Sequence, residues 1–254
     1  MPHECLSIGL LGGFRLIGHC EPETAIAAGR ISLRLQLLLA YLLLHRDAPQ
    51  PREHLAFLFW PDTSEAQALT NLRNLLHKLR RLLPAPDLYL QIDSRTVQWR
   101  PDSPFVLDVA DFEHAVKEAT TVTALAQAVD YYRGDLLPGC YDEWLVRERE
   151  RLRQLVLVAL DQLIDQLESN REYRSAIRFG QRLLQLEPFN EAIYRRLISL
   201  HAADNDRAGA LQLYTRCVAM LQEEFAATPT QETLELFARL HHNEQTLPSP
   251  VDAP

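Results

Sequence analysis

The stretch Ser64–Leu83, which reads SEAQALTNLRNLLHKLRRLL, decides how the rest of the chain is interpreted. Its leucines recur at alternating spacings of three and four residues, which predicts a helix with one core-facing seam: Leu69, Leu72, Leu76, Leu79 and Leu83. At about 100° per residue, the opposite side of this helix carries polar and basic side chains: Gln67, Thr70, Asn74, His77, Lys78 and Arg81. From Ala66 to Arg81 there are four basic residues and no acidic one, although the whole chain has a net charge of -8.

The polar face of this helix has the side-chain types that contact DNA. Asn, Gln and Arg bond base edges in the major groove, whereas Lys and Thr suit phosphates. We predict that four residues face bases or the groove floor: Thr70, Asn74, His77 and Arg81. Phosphate contacts are predicted for Arg73, Lys78 and Arg80, and Asn71 flanks the same surface. An ordinary amphipathic helix with a solvated basic face is the alternative that this stretch alone leaves open.

Charge is divided unevenly along the 254 residues, a length that suffices for two ordinary domains. Residues 1–100 have 11 Lys and Arg against 9 Asp and Glu, a net of +2, and residues 101–254 have 15 against 25, a net of -10. A weakly basic front half and a strongly acidic back half indicate two different roles. The hydrophobic content of 47% and charged content of 24% are those of a soluble globular protein.

The cysteines and the N-terminal segment indicate a cytoplasmic protein. The four cysteines lie far apart, without the spacing of a zinc site, which favours free thiols in a reducing compartment: Cys5, Cys20, Cys140 and Cys217. The first residues lack the positive charge of a signal peptide, and no apolar run approaches the roughly 18 residues of a membrane span. We therefore predict no membrane partner.

The order of elements around the central helix predicts a winged helix-turn-helix. Two short β-type runs hinge at Gly12-Gly13, an apolar helix follows over 33–45, and a second helix spans 52–60. After the central helix, alternating runs at 89–92 and 96–99 predict a hairpin, the wing. Arg95 at its tip is predicted to reach a minor groove or a phosphate. The basic helix is then third, in the position of a recognition helix. From the first two helices, Arg34 and Arg52 are further candidate phosphate contacts.

The second half is predicted to be entirely helical, with segments near 109–119, 122–133, 142–169, 172–186, 190–202, 206–222 and 230–241. Aligning residue 157 with residue 191 gives a 34-residue repeat in which the alanine of the twentieth position is kept, at Ala176 and Ala210. This is the tetratricopeptide pattern, although the eighth position is Ile in both units instead of a small residue. Within the long helix, the alternating acids and arginines of residues 143–153 predict a solvated face with i,i+4 pairs.

Two domains and a tail follow from these patterns. We predict a mainly α protein with small β-sheets, in which residues 1–104 form the winged helix-turn-helix domain. Residues 105–241 form an all-α, tetratricopeptide-like domain, and residues 242–254 form a disordered tail. Nucleotide-binding, zinc-protease and nucleophile-elbow motifs do not occur in the sequence, so we predict neither an enzyme nor a cofactor.

The chain resembles a known family over nearly its whole length, residues 6–240. Residues 52–62, 68–73 and 78–82 are similar to the DNA-binding domain of the Streptomyces antibiotic regulatory protein family, a relative of the OmpR-type winged helix. The second half resembles that family's bacterial transcriptional activator domain, through Asp108 with Phe112, the run YRGDLLPG at 132–139, and Trp144.

This resemblance implies a function that composition alone does not. Members of the family bind tandem direct repeats near promoters and contact RNA polymerase to activate transcription. We therefore expect double-stranded DNA and RNA polymerase as partners, with self-association on tandem DNA sites. A non-catalytic scaffold, in which the winged helix and the repeats bind proteins, is the alternative function.

Overall fold

The computed structural model describes residues 6–18, 24–26 and 31–242. It contains two compact units: Met1–Phe112 with Tyr131–Arg149, and Glu113–Asp130 with Glu150–Pro254. The predicted boundary between residues 104 and 105 stays a prediction. Cys5, Cys20 and residues 243–254 of the tail predicted from residue 242 lie outside the described residues, whereas His242 itself ends a helix. The described cysteines, Cys140 and Cys217, are both buried free thiols.

A four-stranded sheet opens the first unit, in the order β3-β2-β1-β7. Strands β1 (Leu6–Gly9) and β2 (Arg15–Gly18) form the predicted antiparallel hairpin, while β7 (Phe105–Leu107) pairs with β1 in parallel. Gly12 makes the hairpin turn with a φ of +74°, where a side chain would be strained. Neither β7 nor β3 (Thr24–Ile26) was predicted, because three-residue strands carry too little alternation to be recognised.

Asp108 ties the end of this sheet to its start. Its carboxylate accepts hydrogen bonds from the backbone N–H of Leu10, at 2.9 Å, and of Leu11, at 3.0 Å, and lies 3.6 Å from the Arg15 guanidinium. Burial raises the pKa of the Asp108 carboxyl, and these donors oppose that rise without cancelling it. The family-like pair Asp108 and Phe112 therefore has a structural role, since Phe112 is also fully buried.

Three helices and a second small sheet complete the winged-helix arrangement. The helices are α1 (Leu33–Leu44), α2 (Arg52–Phe59) and α3 (Glu65–Leu82). A short α4 (Pro86–Tyr89) leads into the wing strands β5 (Leu90–Ile92) and β6 (Thr96–Trp99). The two-residue strand β4 (Gln50–Pro51) adds to β6, so that the sheet order is β4-β6-β5. The core beneath α3 consists of fully buried side chains that include Leu55, Phe59, Leu72, Leu79, Val97 and Trp99.

Seven helices make up the rest of the described chain, as the periodicity predicts. They are α5 (Asp108–Glu118), α6 (Val122–Tyr131), α7 (Glu143–Ser169), α8 (Tyr173–Leu186), α9 (Glu191–Ala203), α10 (Arg207–Phe225) and α11 (Gln231–His242). The repeat alanines Ala176 and Ala210 are both fully buried. At Gly180 a Cβ atom would come within 2.6 Å of Leu197 Cδ2, so this glycine permits the close packing of α8 on α9. No described helix has the length and apolar character needed to cross a membrane.

The arginines in the first half of α7 differ from the solvated face predicted for them. Arg147 fits the prediction: its side chain is 82% exposed and lies 3.5 Å from Glu143, one helical turn away. The prediction is wrong for Arg149, whose guanidinium donates to the main-chain carbonyls of Leu136, Leu137 and Cys140. Arg153 similarly donates to the Leu186 carbonyl. These acceptors are main-chain carbonyls outside α7, in the preceding loop for Arg149 and at the end of α8 for Arg153, so the charge pattern within α7 could not reveal them.

Candidate nucleic-acid interface

The helix at the centre of the site, α3, begins at a capped N-terminus. Ser64 is the N-cap, and its hydroxyl oxygen accepts a hydrogen bond from the backbone N–H of Gln67, at 3.4 Å. Glu65 lies in the first turn, and Arg80 and Arg81 lie in the last. An acidic residue near the N-terminus and basic residues near the C-terminus interact favourably with the helix dipole, so the charge order stabilises a helix over the predicted span.

The buried face of α3 is wider than the predicted leucine seam. Five of its residues are buried: Ala68, Leu72, Leu75, Leu76 and Leu79. Leu83, just beyond the helix, is also buried, whereas Leu69 is only half-buried. The prediction was wrong for Leu69 because this side chain lines an open cleft. It missed Leu75 because a helix that packs on a globular core buries a stripe broader than one 3-4 seam. Leu75 occupies the other side of that stripe.

Six of the predicted contact residues on α3 are exposed to solvent: Thr70, Arg73, Asn74, His77, Lys78 and Arg81. Within the described part of the chain, no hydrogen bond or ion pair engages the side chains of Arg73, Asn74, His77, Lys78 or Arg81. These five side chains are therefore available to a ligand. The exposed face of α3 carries no acidic residue between Ala66 and Arg81, so its potential toward a polyanion is attractive along more than four helical turns.

Two residues near the start of this face make internal bonds. The Thr70 hydroxyl donates to the carbonyl of Ala66, at 2.8 Å. The Thr70 hydroxyl can therefore accept a hydrogen bond from a ligand but has no proton left to donate. The Asn71 side-chain oxygen accepts from the Gln67 amide, at 2.9 Å. The Asn71 amide nitrogen keeps both of its protons for another partner.

A cleft beside α3 brings together three arginines that the sequence places far apart. It has a volume of about 660 Å³ and is lined by α2, α3 and the wing: Pro51, Arg52, Glu53, Leu69, Arg73, Ser94, Arg95 and Thr96. Arg52, Arg73 and Arg95 outnumber the single carboxylate in the lining, Glu53. Half-buried Leu69 forms part of the cleft wall. A cleft that concentrates three guanidinium groups suits a phosphate backbone.

The wing turn is held so that Arg95 stays at its tip. The Asp93 carboxylate accepts from the backbone N–H groups of Arg95, at 2.7 Å, and Thr96, at 2.6 Å. These backbone hydrogen bonds, together with one from the Thr96 hydroxyl, lower the pKa of Asp93. Arg52 joins the turn to α2, since its backbone N–H donates to the Arg95 carbonyl, at 2.8 Å, and its guanidinium donates to the Asp93 carbonyl, at 3.2 Å.

The two remaining predicted phosphate contacts have partners within the protein. The Arg34 guanidinium lies 3.9 Å from the Asp142 carboxylate and 5.8 Å from the centre of the Trp60 ring. Arg80 makes an ion pair with Asp87, at 2.8 Å. A phosphate contact by either residue would have to compete with these partners, in contrast to Arg73 and Arg95.

The cleft also contains residues that the sequence did not single out. Ser94 and Thr96 line it beside Arg95, and small hydroxyl side chains commonly contact phosphates. Their position on either side of the wing arginine was the available signal. Within the described residues, no group of three or more His, Cys, Asp or Glu could hold a metal ion.

The second half of the chain settles the family. Residues 107–241, more than half of the sequence, match the family described as the bacterial transcriptional activator domain. The chain belongs to this family. It is a transcriptional regulator of the Streptomyces antibiotic regulatory protein type, with a winged-helix fold at its N-terminal end. The resemblance seen in the sequence is thereby confirmed.

A solved structure supports the fold of this activator-domain protein. This chain is similar to EmbR of Mycobacterium tuberculosis, whose structure was solved in complex with a low-affinity phosphopeptide. The TM-score is 0.68 and the sequence identity is 20%. The similarity covers 98% of this chain and 67% of the EmbR chain. No curated protein matches the chain by sequence. The predicted mainly α fold, a winged helix followed by a helical domain, is confirmed.

Proposed function

We propose that this regulator reads duplex DNA with α3 in a major groove while the cleft beside the wing holds the phosphate backbone. One observation carries the proposal: the exposed face of α3, free of acids from Ala66 to Arg81, continues into a cleft lined by three arginines. Base readout requires a protruding helix with donors and acceptors, and positioning requires cations beside it. This one surface supplies both.

The roles of the side chains divide by position. Thr70, Asn74, His77 and Arg81 all lie on the side of α3 opposite the buried stripe, so they face the groove. Among them, the Asn74 amide and the Arg81 guanidinium have the chemistry that reads base edges best. Arg73 faces the cleft, where it joins Arg52 and Arg95 in holding phosphates. Lys78 takes the other flank of the helix, as does Asn71. Arg34 and Arg80 are secondary phosphate contacts, since each has an internal partner.

Membership of the family adds two expectations to this proposal, one about the arrangement of sites at promoters and one about RNA polymerase. Tandem direct repeats would place copies of the protein head to tail on DNA, so we expect self-association there instead of a two-fold dimer. RNA polymerase would be the partner recruited for activation. A non-catalytic scaffold remains the competing function, in which the same surface would bind a protein.

Selection of bound duplexes from a random pool tests the proposed function. We expect an enriched motif that occurs twice in the same orientation, which would also give the spacing of the half-sites. Retention on duplex DNA should fall steeply with salt, because binding releases counterions from the neutralised phosphates. A pool without enrichment, together with weak retention at every salt concentration, would favour the scaffold.

The cleft arginines provide a prediction about sequence-independent affinity. Changing Arg52, Arg73 or Arg95 singly to glutamine should lower the affinity for the specific duplex and for random duplex by similar factors. Each change should lower the slope of log affinity against log salt by about 1, because one phosphate contact is lost. Fluorescence anisotropy with both duplexes across a salt series measures this. Arg147→Gln is the matched control, as this exposed arginine lies on α7 and lines no part of the cleft; an equal effect there would contradict the assignment.

A further inference from the structure

Helices α8 and α10 form a basic region in the acidic half of the chain. Residues 101–254 have 25 carboxylates, yet α8 has none, and α10 has none before Glu223. Over the same two segments there are five arginines: Arg174, Arg178, Arg182, Arg207 and Arg216. Positive charge is thus gathered on the second helix of each repeat.

Two adjoining hollows open along these helices. One, of about 490 Å³, is lined by Gln181, Leu184, Gln185, Pro188, Tyr194, Leu213 and Arg216. The other, of about 480 Å³, is lined by Ala126, Asp130, Arg178, Phe179, Gln181, Arg182 and Gln185. Because Gln181 and Gln185 line both hollows, the two form one continuous groove. We call it the α8–α10 groove.

The arginines of this region differ in whether they are neutralised. Arg174 pairs with Asp204, at 3.3 Å, and Arg182 pairs with Asp130, at 3.1 Å. Arg178 lies against the ring of Phe179, 4.7 Å from its centre, and makes no ion pair within the described residues. Arg216 is exposed and has no ion pair there either. One uncompensated cation therefore lines each of the two hollows.

The floor of the groove is apolar between these cations. Leu184, Leu213 and Tyr194 are buried beneath the hollow that Arg216 lines, and Pro188 lies on its edge. Exposed Gln181 and Gln185 lie where the two hollows meet and offer amide groups to the main chain of a bound peptide. The groove thus combines cations, an apolar floor and main-chain partners.

We propose that the α8–α10 groove is a docking site for an extended acidic peptide segment of a partner protein. Carboxylates of the segment would pair with Arg178 and Arg216, and an apolar side chain between them would cover Leu184 and Leu213. Charge complementarity selects this occupant, because the groove offers unpaired guanidinium groups in a half of the chain with a net charge of -10.

The same charges argue against nucleic acid as the occupant. A nucleic acid carries a charge at every phosphate, and the net charge of -10 on residues 101–254 opposes it everywhere except at the few unpaired arginines. A short peptide can place its carboxylates at the two arginines and its apolar side chain on the leucine floor. This inference does not rest on DNA recognition, since no groove residue belongs to α3, the wing or the cleft.

A labelled synthetic peptide tests the proposal on the full-length protein. The probe repeats Glu-Pro-Leu over about ten residues, enough to span roughly 30 Å when extended; its two controls replace every Glu by Gln or by Lys. We expect fluorescence anisotropy to show that the acidic peptide binds. Its affinity should fall as the salt concentration rises and should exceed that of both control peptides. The double variant Arg178→Glu with Arg216→Glu should weaken this binding at least about tenfold, because attraction becomes repulsion.

Matched variants separate the groove from net charge. Lys117→Glu with Arg171→Glu makes the same change in charge at exposed positions that do not line the groove, and it should bind the acidic peptide within about twofold of the unaltered protein. Thermal unfolding confirms that both double variants are folded. A saturating unlabelled duplex should leave the peptide bound. The proposal is overturned by absence of binding, by equal loss in both double variants, or by displacement of the peptide with DNA.

Discussion

Replacing Asn74 or Arg81 by alanine should cost about 1–3 kcal/mol of binding free energy on the specific DNA site. Both side chains are exposed and lie opposite the buried stripe of α3, which includes Leu72 and Leu76. Seating that stripe on the core directs both side chains outward, where a major groove would receive them. Asn74→Ala should leave binding to random duplex nearly unchanged, because an amide that reads a base edge contributes little binding free energy where the matching base is absent.

Lys78→Ala provides the contrast on the same helix. Lys78 is exposed on the flank of the polar face, where a cation meets phosphates instead of base edges. Its loss should lower the affinity for all duplexes by a similar factor and reduce the slope of log affinity against log salt by about 1. Two neighbouring substitutions on one exposed face should therefore differ in kind, one altering specificity and the other altering general affinity.

Affinity for the selected site and for random duplex, measured across salt for each variant, distinguishes these outcomes. Thermal unfolding alongside confirms that exposed substitutions leave the fold intact. If folded protein lacking both Asn74 and Arg81 still prefers its specific site, α3 is not the reading helix. The scaffold function would then become the better account of the winged helix.

The sequence was most informative where one element determines its own structure. Helix α3 carries its cap at Ser64, a dipole-compatible charge order, and an apolar stripe, so its span could be predicted to within a residue. The strands β3, β4 and β7 were missed, since two or three residues form a strand only when a partner strand is present. Their partners lie elsewhere in the chain, and periodicity cannot identify them.

The candidate site shows the same limit. The polar face of α3 could be listed from the helical period alone. The convergence of Arg52, Arg73 and Arg95 on one cleft could not, because the wing turn is brought to α2 by hydrogen bonds between residues about forty positions apart. Likewise, Arg34 and Arg80 looked as available as Arg73 until their carboxylate partners were located.

Arg149 is the clearest case of a residue whose role cannot be seen in the local sequence pattern. Changing Arg149 to methionine should lower the free energy of unfolding of the first unit by about 3 kcal/mol. Methionine keeps most of the side-chain length, so the loss reports mainly on hydrogen bonding. The Arg149 guanidinium donates to the carbonyls of Leu136, at 3.0 Å, Leu137, at 3.0 Å, and Cys140, at 2.9 Å.

The three residues that supply these carbonyls are buried, and the loop that carries them has no regular ladder of its own. Leu137 has a φ of +43° and Gly139 a φ of +86°, so the chain turns here in conformations that need external support. Without the guanidinium, the carbonyls would lose a charged donor while remaining largely shielded from water. The run at residues 132–139, which resembles the family, would thus be stabilised by an arginine from the following helix.

Urea unfolding followed by tryptophan fluorescence measures this effect in the correct part of the chain. All three tryptophans, Trp60, Trp99 and Trp144, belong to the unit that contains Arg149. The matched control is Arg147→Met, two positions earlier on α7, where an 82% exposed side chain makes one contact with Glu143. It should change stability by less than about 0.5 kcal/mol. Equal behaviour of the two variants would show that the Arg149 hydrogen bonds add nothing beyond a solvated charge, and that the backbone hydrogen bonds between this loop and the first hairpin, from Leu137 N–H to the Leu10 carbonyl and from Gly12 N–H to the Asp135 carbonyl, suffice to order it.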